Sequence, residues 1–249
     1  MDYSRFKDLG FDDFRNMAKD PSLTEYEKIG FPPSYRAGYG DAIFADILRK
    51  LPNLDRPHQI VLDIGPGCSD LPRLLIELCR RRQHTLILID AKEILDILPN
   101  EPFVLKIPAR YPDECSEFCC AYAGRINVVN SYSVIQCIFS EGNIFKFLDK
   151  SLALLADGGQ MLFGDIPNIS RRKRFFSSET GLHFHQNFTQ STDEPEVQFN
   201  TLDSNQMDDA VVLSLLLRAR LAGFHSYVVS QDPALPMANR REDILIERP

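Results

Sequence analysis

Residues 60–82 constrain the fold of this chain more than any other stretch, because three local signals follow one another there. The apolar run 60–62 is typical of a strand buried in a parallel sheet. Gly65 and Gly67 come next, and a helical spacing of leucines begins after Asp70. Glycines let the backbone pass close to a ligand, and the first turn of a helix offers free N–H groups. The stretch predicts a strand, a glycine turn and a helix at the ligand-binding edge of an open α/β sheet.

Two classes of cofactor are bound by turns of this kind. The dinucleotide pattern G-x-G-x-x-G needs a third glycine for close packing of helix and strand, and Asp70 takes its place here. The pattern hhDhGxG, formed by residues 61–67, resembles motif I of the class I methyltransferases, whose cofactor is S-adenosyl-L-methionine (SAM). SAM carries no phosphate, so an acid beside the turn is tolerated. The resemblance implies that SAM is bound by Asp63, Gly65, Pro66 and Gly67.

A second acid supports a nucleoside ligand. The apolar run 85–89 predicts another buried strand, and Asp90 stands at its end. An acid roughly 20 residues beyond the glycine turn is placed to accept hydrogen bonds from both ribose hydroxyls. This position serves SAM and NAD alike, so an NAD(P)-dependent oxidoreductase on a similar fold stays an alternative. Such an enzyme would need a glycine at position 70.

Two later segments add to the resemblance. The predicted strand 126–130 ends at Asn130, and in methyltransferases the residue at the end of this strand lies beside the methyl group. The pattern L-x-x-G-G-x-h-h over 155–162 is a familiar element of the same family. The resemblance implies that Asn130 and Ser131 contact the cofactor. The family's acid after strand three is missing, so we expect the backbone near Ala109 to contact the adenine. The missing acid also leaves open a SAM-binding module without catalytic activity.

These elements together predict an α/β fold. It has a seven-stranded, mostly parallel sheet with helices on both faces, an antiparallel last strand, an N-terminal helical cap and an insertion after strand five. The chain 1–249 is interpreted as a single domain. Its parts are the cap (1–55), a SAM-binding half (57–164), an insertion acting as a lid over the acceptor (165–206) and the end of the sheet (207–249).

The insertion supplies candidates for the base that a hydroxyl acceptor needs. Asp165 is expected at the ligand edge of the sheet, where it acts as a base or only caps a loop. His183 and His185 share a face if the chain is extended there, and an imidazole suits proton removal near neutral pH. Surface histidines are the alternative. The three side chains could also ligate a divalent metal, but we assign no metal site.

A basic run in the insertion is a candidate for acceptor binding. Arg171, Arg172 and Arg174 form either a solvated face or a site for a phosphate or carboxylate. Tyr132, which follows the fourth predicted strand, is a further candidate to contact the acceptor. An NDP-sugar or a phosphorylated intermediate would suit these cations.

The composition limits the classes of partner that the protein is expected to bind and the cellular compartment in which it is expected. A net charge of −7 and a pI near 5.3 argue against a general nucleic-acid binder. No apolar run reaches membrane-spanning length, and the N-terminus lacks the apolar core of a signal peptide. Six cysteines without an export signal are typical of reduced thiols. We therefore expect a cytoplasmic protein that binds a small molecule and neither nucleic acid nor membrane.

A finer resemblance concerns the acceptor. The stretches GFPPSYR, LDIGPGCS and GDIPN-x-S-R-R-K-R-F are similar to methyltransferases encoded with bacterial surface-polysaccharide genes. This resemblance implies O-methylation of a sugar, a nucleotide-sugar or another small polar acceptor, in polysaccharide biosynthesis. The sequence assigns no oligomeric state.

Overall fold

The structure, a computed structural model, describes Phe6, residues 9–201 and residues 203–249. Residues 1–5, 7 and 8 of the predicted cap and Leu202 of the predicted insertion lie outside the described residues. Seven strands in the described part of the chain form one sheet. They are β1 (Ile60–Ile64), β2 (Thr85–Asp90), β3 (Val104–Pro108), β4 (Ile126–Tyr132), β5 (Leu155–Pro167), β6 (His225–Val229) and β7 (Arg241–Glu247).

The sheet has the strand order β3-β2-β1-β4-β5-β7-β6. Strands β1 to β5 pair in parallel, and β7 runs antiparallel to β5 and β6. Residues 86–89 of β2 are all buried, as expected of a parallel strand covered on both faces. The predicted α/β class, the size of the sheet and the antiparallel last strand are confirmed.

Twelve α-helices surround the sheet in the described part of the chain, and a 3-10 helix (Pro52–Asp55) follows the fourth of them. They are α1 (Phe11–Lys19), α2 (Glu25–Lys28), α3 (Pro33–Arg36), α4 (Gly40–Lys50), α5 (Asp70–Arg82), α6 (Lys92–Leu95), α7 (Ser116–Ala121), α8 (Ile135–Glu141), α9 (Ile144–Leu154), α10 (Ile169–Phe176), α11 (Glu179–Thr189) and α12 (Asp209–Leu221). Val61 of β1 belongs to a buried cluster with apolar residues of α4 and α5. The next residue, Leu62, belongs to a second cluster with α9 and α12. Because successive side chains of a strand point to opposite faces, helices cover both sides of the sheet.

The predicted cap of residues 1–55 divides in the structure: α4 packs against the sheet, and residues 9–39, with α1, α2 and α3, are called the N-terminal cap below. Polar contacts attach this cap to the body. Arg15 Nη2 lies 3.1 Å from Oε1 of Glu93, which is in α6. Tyr26 Oη donates to Asp70 Oδ2 at 2.5 Å, at the start of α5. The cap therefore lies against the helices that follow β1 and β2.

The insertion after β5 begins with two helices. Asn168 Oδ1 accepts hydrogen bonds from two backbone N–H groups at the start of α10, and Ser178 Oγ accepts one from Gly181 at the start of α11. The two helices contact each other through the rings of Phe175, Phe176 and Phe184. Lys173 Nζ lies 2.5 Å from Asp203 Oδ2 and ties the later part of the insertion to α10.

Strand β5 is longer than the sequence predicts. It runs to Pro167 instead of ending at Gly164, so Asp165 lies inside the strand and not in a loop. The pairing with β7 shifts register between Phe163 and Ile166, and Asp165 has a φ of 60°. A β-bulge of this kind redirects a side chain, and Asp165 is 4% exposed.

In the part of the chain that the structure describes, no helix combines the length and apolarity that a membrane span requires.

Candidate active site

A cleft opens at the carboxyl ends of β1, β2 and β4. The glycine turn after β1 and the residues after β2, β3 and β4 form one wall. The other wall comes from the N-terminal cap and the start of α4. Its lining residues are Phe11, Phe14, Tyr26, Lys28, Ile29, Phe31, Arg36, Gly40 and Ile43. The cleft lies where open α/β sheets bind their ligands.

The turn after β1 requires glycine at two positions. Gly65 has a φ of 68° and Gly67 a φ of 67°, a region that residues with a Cβ rarely adopt. A Cβ on Gly65 would lie 2.5 Å from Val134 Cγ2, and one on Gly67 would lie 2.8 Å from Ile29 Cγ2. Both glycines and Pro66 line the cleft, and their binding of the cofactor stays a prediction.

Asp90 also lines the cleft, at the end of β2. Its Oδ2 accepts a hydrogen bond from Gly67 N at 3.1 Å, and its Oδ1 accepts one from Ala91 N at 2.7 Å. Burial raises the pKa of Asp90 to about 6. Each carboxylate oxygen can accept a further hydrogen bond, so the arrangement fits the two hydroxyls of a ribose.

Asp63, by contrast, lies beneath the turn. Its Oδ1 accepts from Asn130 Nδ2 at 2.9 Å, and burial raises its pKa to about 7. Asp63 lies on the face of β1 that packs against α4 and α5, with Leu71 and Leu75 around it. Neither Asp63 nor Asn130 lines the cleft, so their predicted direct contacts with the cofactor are not supported by this geometry.

The other predicted cofactor residues differ in position. Ala109 lines the cleft, and its N–H donates to the backbone oxygen of Asp90 at 3.1 Å. Ser131 does not line it: this residue is fully buried in β4, and its Oγ has no hydrogen-bond partner among the described residues. The reason is that β4 extends to Tyr132, so the turn begins two residues later than predicted. Tyr132 and Ser133 line the cleft instead.

Glu141 lines the cleft, although no sequence motif pointed to it. It ends α8, and its Oε2 accepts from Phe11 N at 3.1 Å and from Arg110 Nη2 at 2.9 Å. Both Glu141 and Arg110 line the cleft near Ala109. An acid therefore lies on this side of the cleft, but it comes from α8 and not from the residues after β3.

Asp165 is the centre of a buried ionic network. Its Oδ2 accepts from Arg36 Nη2, from Arg241 Nη1 at 2.7 Å and from Ser133 Oγ at 2.5 Å, and Gln231 Nε2 contacts Oδ1 at 3.4 Å. Burial alone would raise the pKa of Asp165, but the Arg241 and Arg36 guanidiniums hold it below the ordinary value. A carboxylate so paired is a weak base, and it does not line the cleft. The geometry does not support its predicted role as the base and makes it an anchor for Arg36.

The two histidines lie away from the cleft. They would share a face only in an extended chain, but His183 and His185 are in α11, where residues two apart point in different directions. His183 Nε2 lies 3.9 Å from Glu179 Oε1, and its side chain is 64% exposed. The ring of His185 contacts the ring of Phe176 edge-on, with centroids 6.2 Å apart. No group of three His, Cys, Asp or Glu residues with the geometry of a metal site occurs among the described residues.

The predicted basic run separates into paired and unpaired residues. Arg171 Nη1 lies 3.5 Å from Glu242 Oε2, and Arg174 Nη1 lies 2.5 Å from Asp209 Oδ2. Both are therefore in structural ion pairs. The guanidinium of Arg172 lies 5.0 Å from the centre of the Phe176 ring. None of the insertion's described residues lines the cleft, and the N-terminal cap lines it instead, so the insertion's role as a lid over the acceptor stays a prediction.

No family model matches the chain, and no curated protein sequence matches it either. Solved structures do. The N-methyltransferase NodS from Bradyrhizobium japonicum WM9, in complex with S-adenosyl-L-homocysteine (SAH), is 10% identical with a TM-score of 0.59, over 96% of this chain and 98% of that one. The plantazolicin methyltransferase BpumL with SAH is 14% identical with a TM-score of 0.57, over 99% and 98% of the two chains.

A third similar structure is phosphoethanolamine N-methyltransferase 2 of Haemonchus contortus with SAM. It is 14% identical with a TM-score of 0.54 over 95% of this chain, which spans only 60% of that protein's length. Identities this low speak for the fold alone. Together with the strand order and the antiparallel last strand, they show that the chain has the α/β fold of the SAM-dependent methyltransferases.

Proposed function

We propose that this protein binds SAM in the cleft and transfers its methyl group to a small polar acceptor. The observation that carries the proposal is the glycine turn facing Asp90 at the edge of a sheet with the methyltransferase strand order. The similar structures named above were solved with SAM or SAH, which supports the choice of cofactor. The function rests on this site and not on the fold by itself.

The residues of the cleft divide between cofactor and acceptor. Gly65, Pro66 and Gly67 would bring backbone close to the cofactor, and Asp90 would accept from its ribose hydroxyls. Ala109 and Glu141 are the candidates for contacts at the adenine. Asp63 and Asn130 would act indirectly, by holding the ends of β1 and β4 together.

Bound SAM supplies an electrophilic methyl group on a sulfonium. What the protein must add is a fixed position for the acceptor and the exclusion of water. The apolar side chains of the cap, such as Phe14 and Phe31, and the ring of Tyr132 would provide the walls. Arg36, held by Asp165 and Ser133, would provide the polar end.

The acceptor class is a finer proposal. O-methylation of a sugar or nucleotide-sugar in polysaccharide biosynthesis is supported by the resemblance of three short stretches to methyltransferases encoded with such genes. The proposed compartment, the cytoplasm, rests on the six cysteines, which are typical of reduced thiols. The division into a cap, a SAM-binding half, an insertion and the end of the sheet belongs to the same proposal. In this proposal the N-terminal cap covers the cleft, a role that the sequence analysis assigned to the insertion.

An oxidoreductase is less well supported by the site. Asp70 lies where a dinucleotide site needs glycine, it lines the cleft, and it accepts a hydrogen bond from Tyr26. A carboxylate at the start of α5 would repel the pyrophosphate that a dinucleotide brings there.

Calorimetric titration of the full chain with SAH, SAM and NAD tests the proposal. We expect SAH and SAM to bind and NAD to give no heat. Labelled SAM incubated with sugars, sugar phosphates and nucleotide-sugars then tests transfer. Binding of NAD alone would contradict the proposal, and binding of SAH without transfer to any acceptor class would favour a module without activity.

A further inference from the structure

Two arginines meet at the polar end of the cleft. Arg36 Nη2 and Arg241 Nη1 both donate to Oδ2 of Asp165. Both guanidiniums also lie over the ring of Phe31, at 4.2 Å and 5.7 Å from its centre. These contacts with Asp165 use one terminal nitrogen of each guanidinium. Two cations thus share one carboxylate and one aromatic ring, on the side of the cleft formed by α3.

Two further arginines lie next to this pair. Arg240 precedes Arg241, and its guanidinium lies 5.7 Å from the centre of the Phe184 ring. Arg172 lies 5.0 Å from the centre of the Phe176 ring, and the two rings are 6.2 Å apart. Among the residues the structure describes, no carboxylate lies within ion-pair distance of Arg172 or Arg240.

The four residues Arg36, Arg172, Arg240 and Arg241 are called the guanidinium cluster below. Asp165 is the one carboxylate of the described residues that pairs with the cluster. The nearby acids Glu242 and Asp209 are used by Arg171 and Arg174. In a chain with a net charge of −7, positive charge is therefore concentrated at one place beside the cleft. Burial, together with the neighbouring Arg241 and Arg172, lowers the pKa of Arg240, as expected where cations repel one another.

We propose that the guanidinium cluster binds the anionic group, a phosphate or a carboxylate, of the methyl acceptor. The inference rests on the proposed function, because Arg36 lines the cleft that the cofactor would share with the acceptor. Guanidinium groups pair with such oxoanions through two parallel N–H donors, which gives both strength and orientation. Asp165 and Phe31 fix Arg36 and Arg241 in advance, so less side-chain freedom is lost when the anion binds.

The ligand is a small molecule in this proposal. The cluster lies between the cap, the start of β7 and α10, and the protein as a whole is acidic, so a long polyanion would be repelled outside it. The acceptor's reactive end would then extend from the cluster toward Tyr132 and Ser133.

Calorimetry on the full chain, with and without saturating SAH, tests the inference with inorganic pyrophosphate and malonate as probes. We expect at least one probe to bind, and its affinity to fall as NaCl is added. The double variant Arg172→Gln, Arg240→Gln should weaken that binding by about tenfold or more while the affinity for SAH is unchanged. Arg240→Lys keeps the positive charge but loses the two parallel N–H donors of the guanidinium. It should weaken binding of the probe by a smaller factor than the double variant does.

The matched control is the double variant Arg56→Gln, Arg81→Gln. It removes the same charge from two exposed arginines elsewhere, and it should bind the probe like the wild type. No binding of either probe, or an equal loss in the control, would overturn the inference. Pyrophosphate preferred over malonate identifies a phosphorylated acceptor, and the reverse identifies a carboxylate. If SAH does not bind but the probe binds through Arg172 and Arg240, the anion site stands and the methyltransferase proposal fails.

Discussion

Burial raises the pKa of Asp90 to about 6, so its change of charge falls in a pH range where the affinity for a ligand can be measured. Ribose hydroxyls donate hydrogen bonds, so a bound nucleoside favours the charged carboxylate over the neutral acid. The affinity for SAH should therefore fall as the pH is lowered from about 8 to about 5, by at most about tenfold per pH unit. Calorimetric titration with SAH at a series of pH values measures this.

Asp90→Asn is the matched variant, since it keeps the shape of the side chain and removes the titration. It should bind SAH more weakly by about 1–3 kcal/mol, with no pH dependence from this group. Asp63→Asn removes the neighbouring acid, whose pKa is about 7, and should leave the fall toward low pH in place. A wild-type affinity that is the same at every pH would remove Asp90 from the site.

The sequence could predict the position of residues that directly follow a strand. Gly65, Gly67 and Asp90 stand at strand ends, and the sheet brings such ends together whatever the details of packing. Asp165 was misjudged because its partners, Arg36 and Arg241, come from distant parts of the chain. Glu141 could not be predicted either, since only the packing of α8 against the start of α1 brings it to the cleft.

At the scale of elements, the N-terminal cap fits closely onto the glycine turn. Gly67→Ala would place a Cβ 2.8 Å from Ile29 Cγ2 and would force alanine to a φ of 67°. We expect it to lower the free energy of unfolding by about 1–3 kcal/mol and to weaken SAH binding. Ile29→Ala removes the clashing methyl group, so the double variant should recover part of the loss. Urea unfolding of the four proteins gives the coupling energy.

Gly158→Ala is the control for backbone strain alone. Gly158 has a φ of 71°, and no atom lies within 4 Å of its added Cβ. Gly158→Ala should lower the free energy of unfolding by the same amount with and without Ile29→Ala. Strictly additive effects of Gly67→Ala and Ile29→Ala would show that the cap does not rest on the turn.

Deleting residues 172–200 tests the insertion as an element. The ends to be joined lie near each other, since Lys173 Nζ donates to Thr201 Oγ1 at 2.9 Å. The affinity for SAH should be unchanged, because none of the insertion's described residues lines the cleft. Binding of pyrophosphate should weaken, because Arg172 is lost. A folded deletion variant that no longer binds SAH would show that the insertion supports the cofactor site.

The helices of the insertion could have been read from their first residues. Asn168 and Ser178 are strong N-cap residues, and each caps a helix here. A shared face for His183 and His185 required an extended chain, and the N-cap residue Ser178 indicates a helix instead. The position of α10 was beyond the sequence, because its ion pairs are made with Asp203 and Asp209, 30 and 35 residues further along the chain.

At the scale of the whole molecule, buried acids make folding depend on pH. Asp63 has a pKa of about 7 in the fold, against about 4 in an unfolded chain. The folded state thus holds this proton more tightly, so the group's contribution to stability is complete below about pH 4 and is lost as the pH rises to about 7. Asp63→Asn does not titrate, so its stability relative to the wild type should rise over that interval.

Thermal unfolding of both proteins at a series of pH values measures the difference. Asp149→Asn is the control, because Arg218 holds the pKa of Asp149 below its ordinary value and no change is expected in the same interval. A stability difference between Asp63→Asn and wild type that stays constant with pH would mean that Asp63 is charged throughout.

One wall of the cleft comes from the short helices of residues 9–39 and not from the sheet. If the cleft binds SAM as proposed, the spent cofactor must leave before a fresh one enters, so the rate at which this wall opens would set an upper limit on turnover. The contacts of Tyr26 with Asp70 and of Arg15 with Glu93 would then hold the wall closed and delay the departure of the cofactor. Weakening these contacts would shorten the time for which SAH stays bound and raise the turnover rate. SAH would dissociate faster, and turnover would rise until methyl transfer itself became the slowest step.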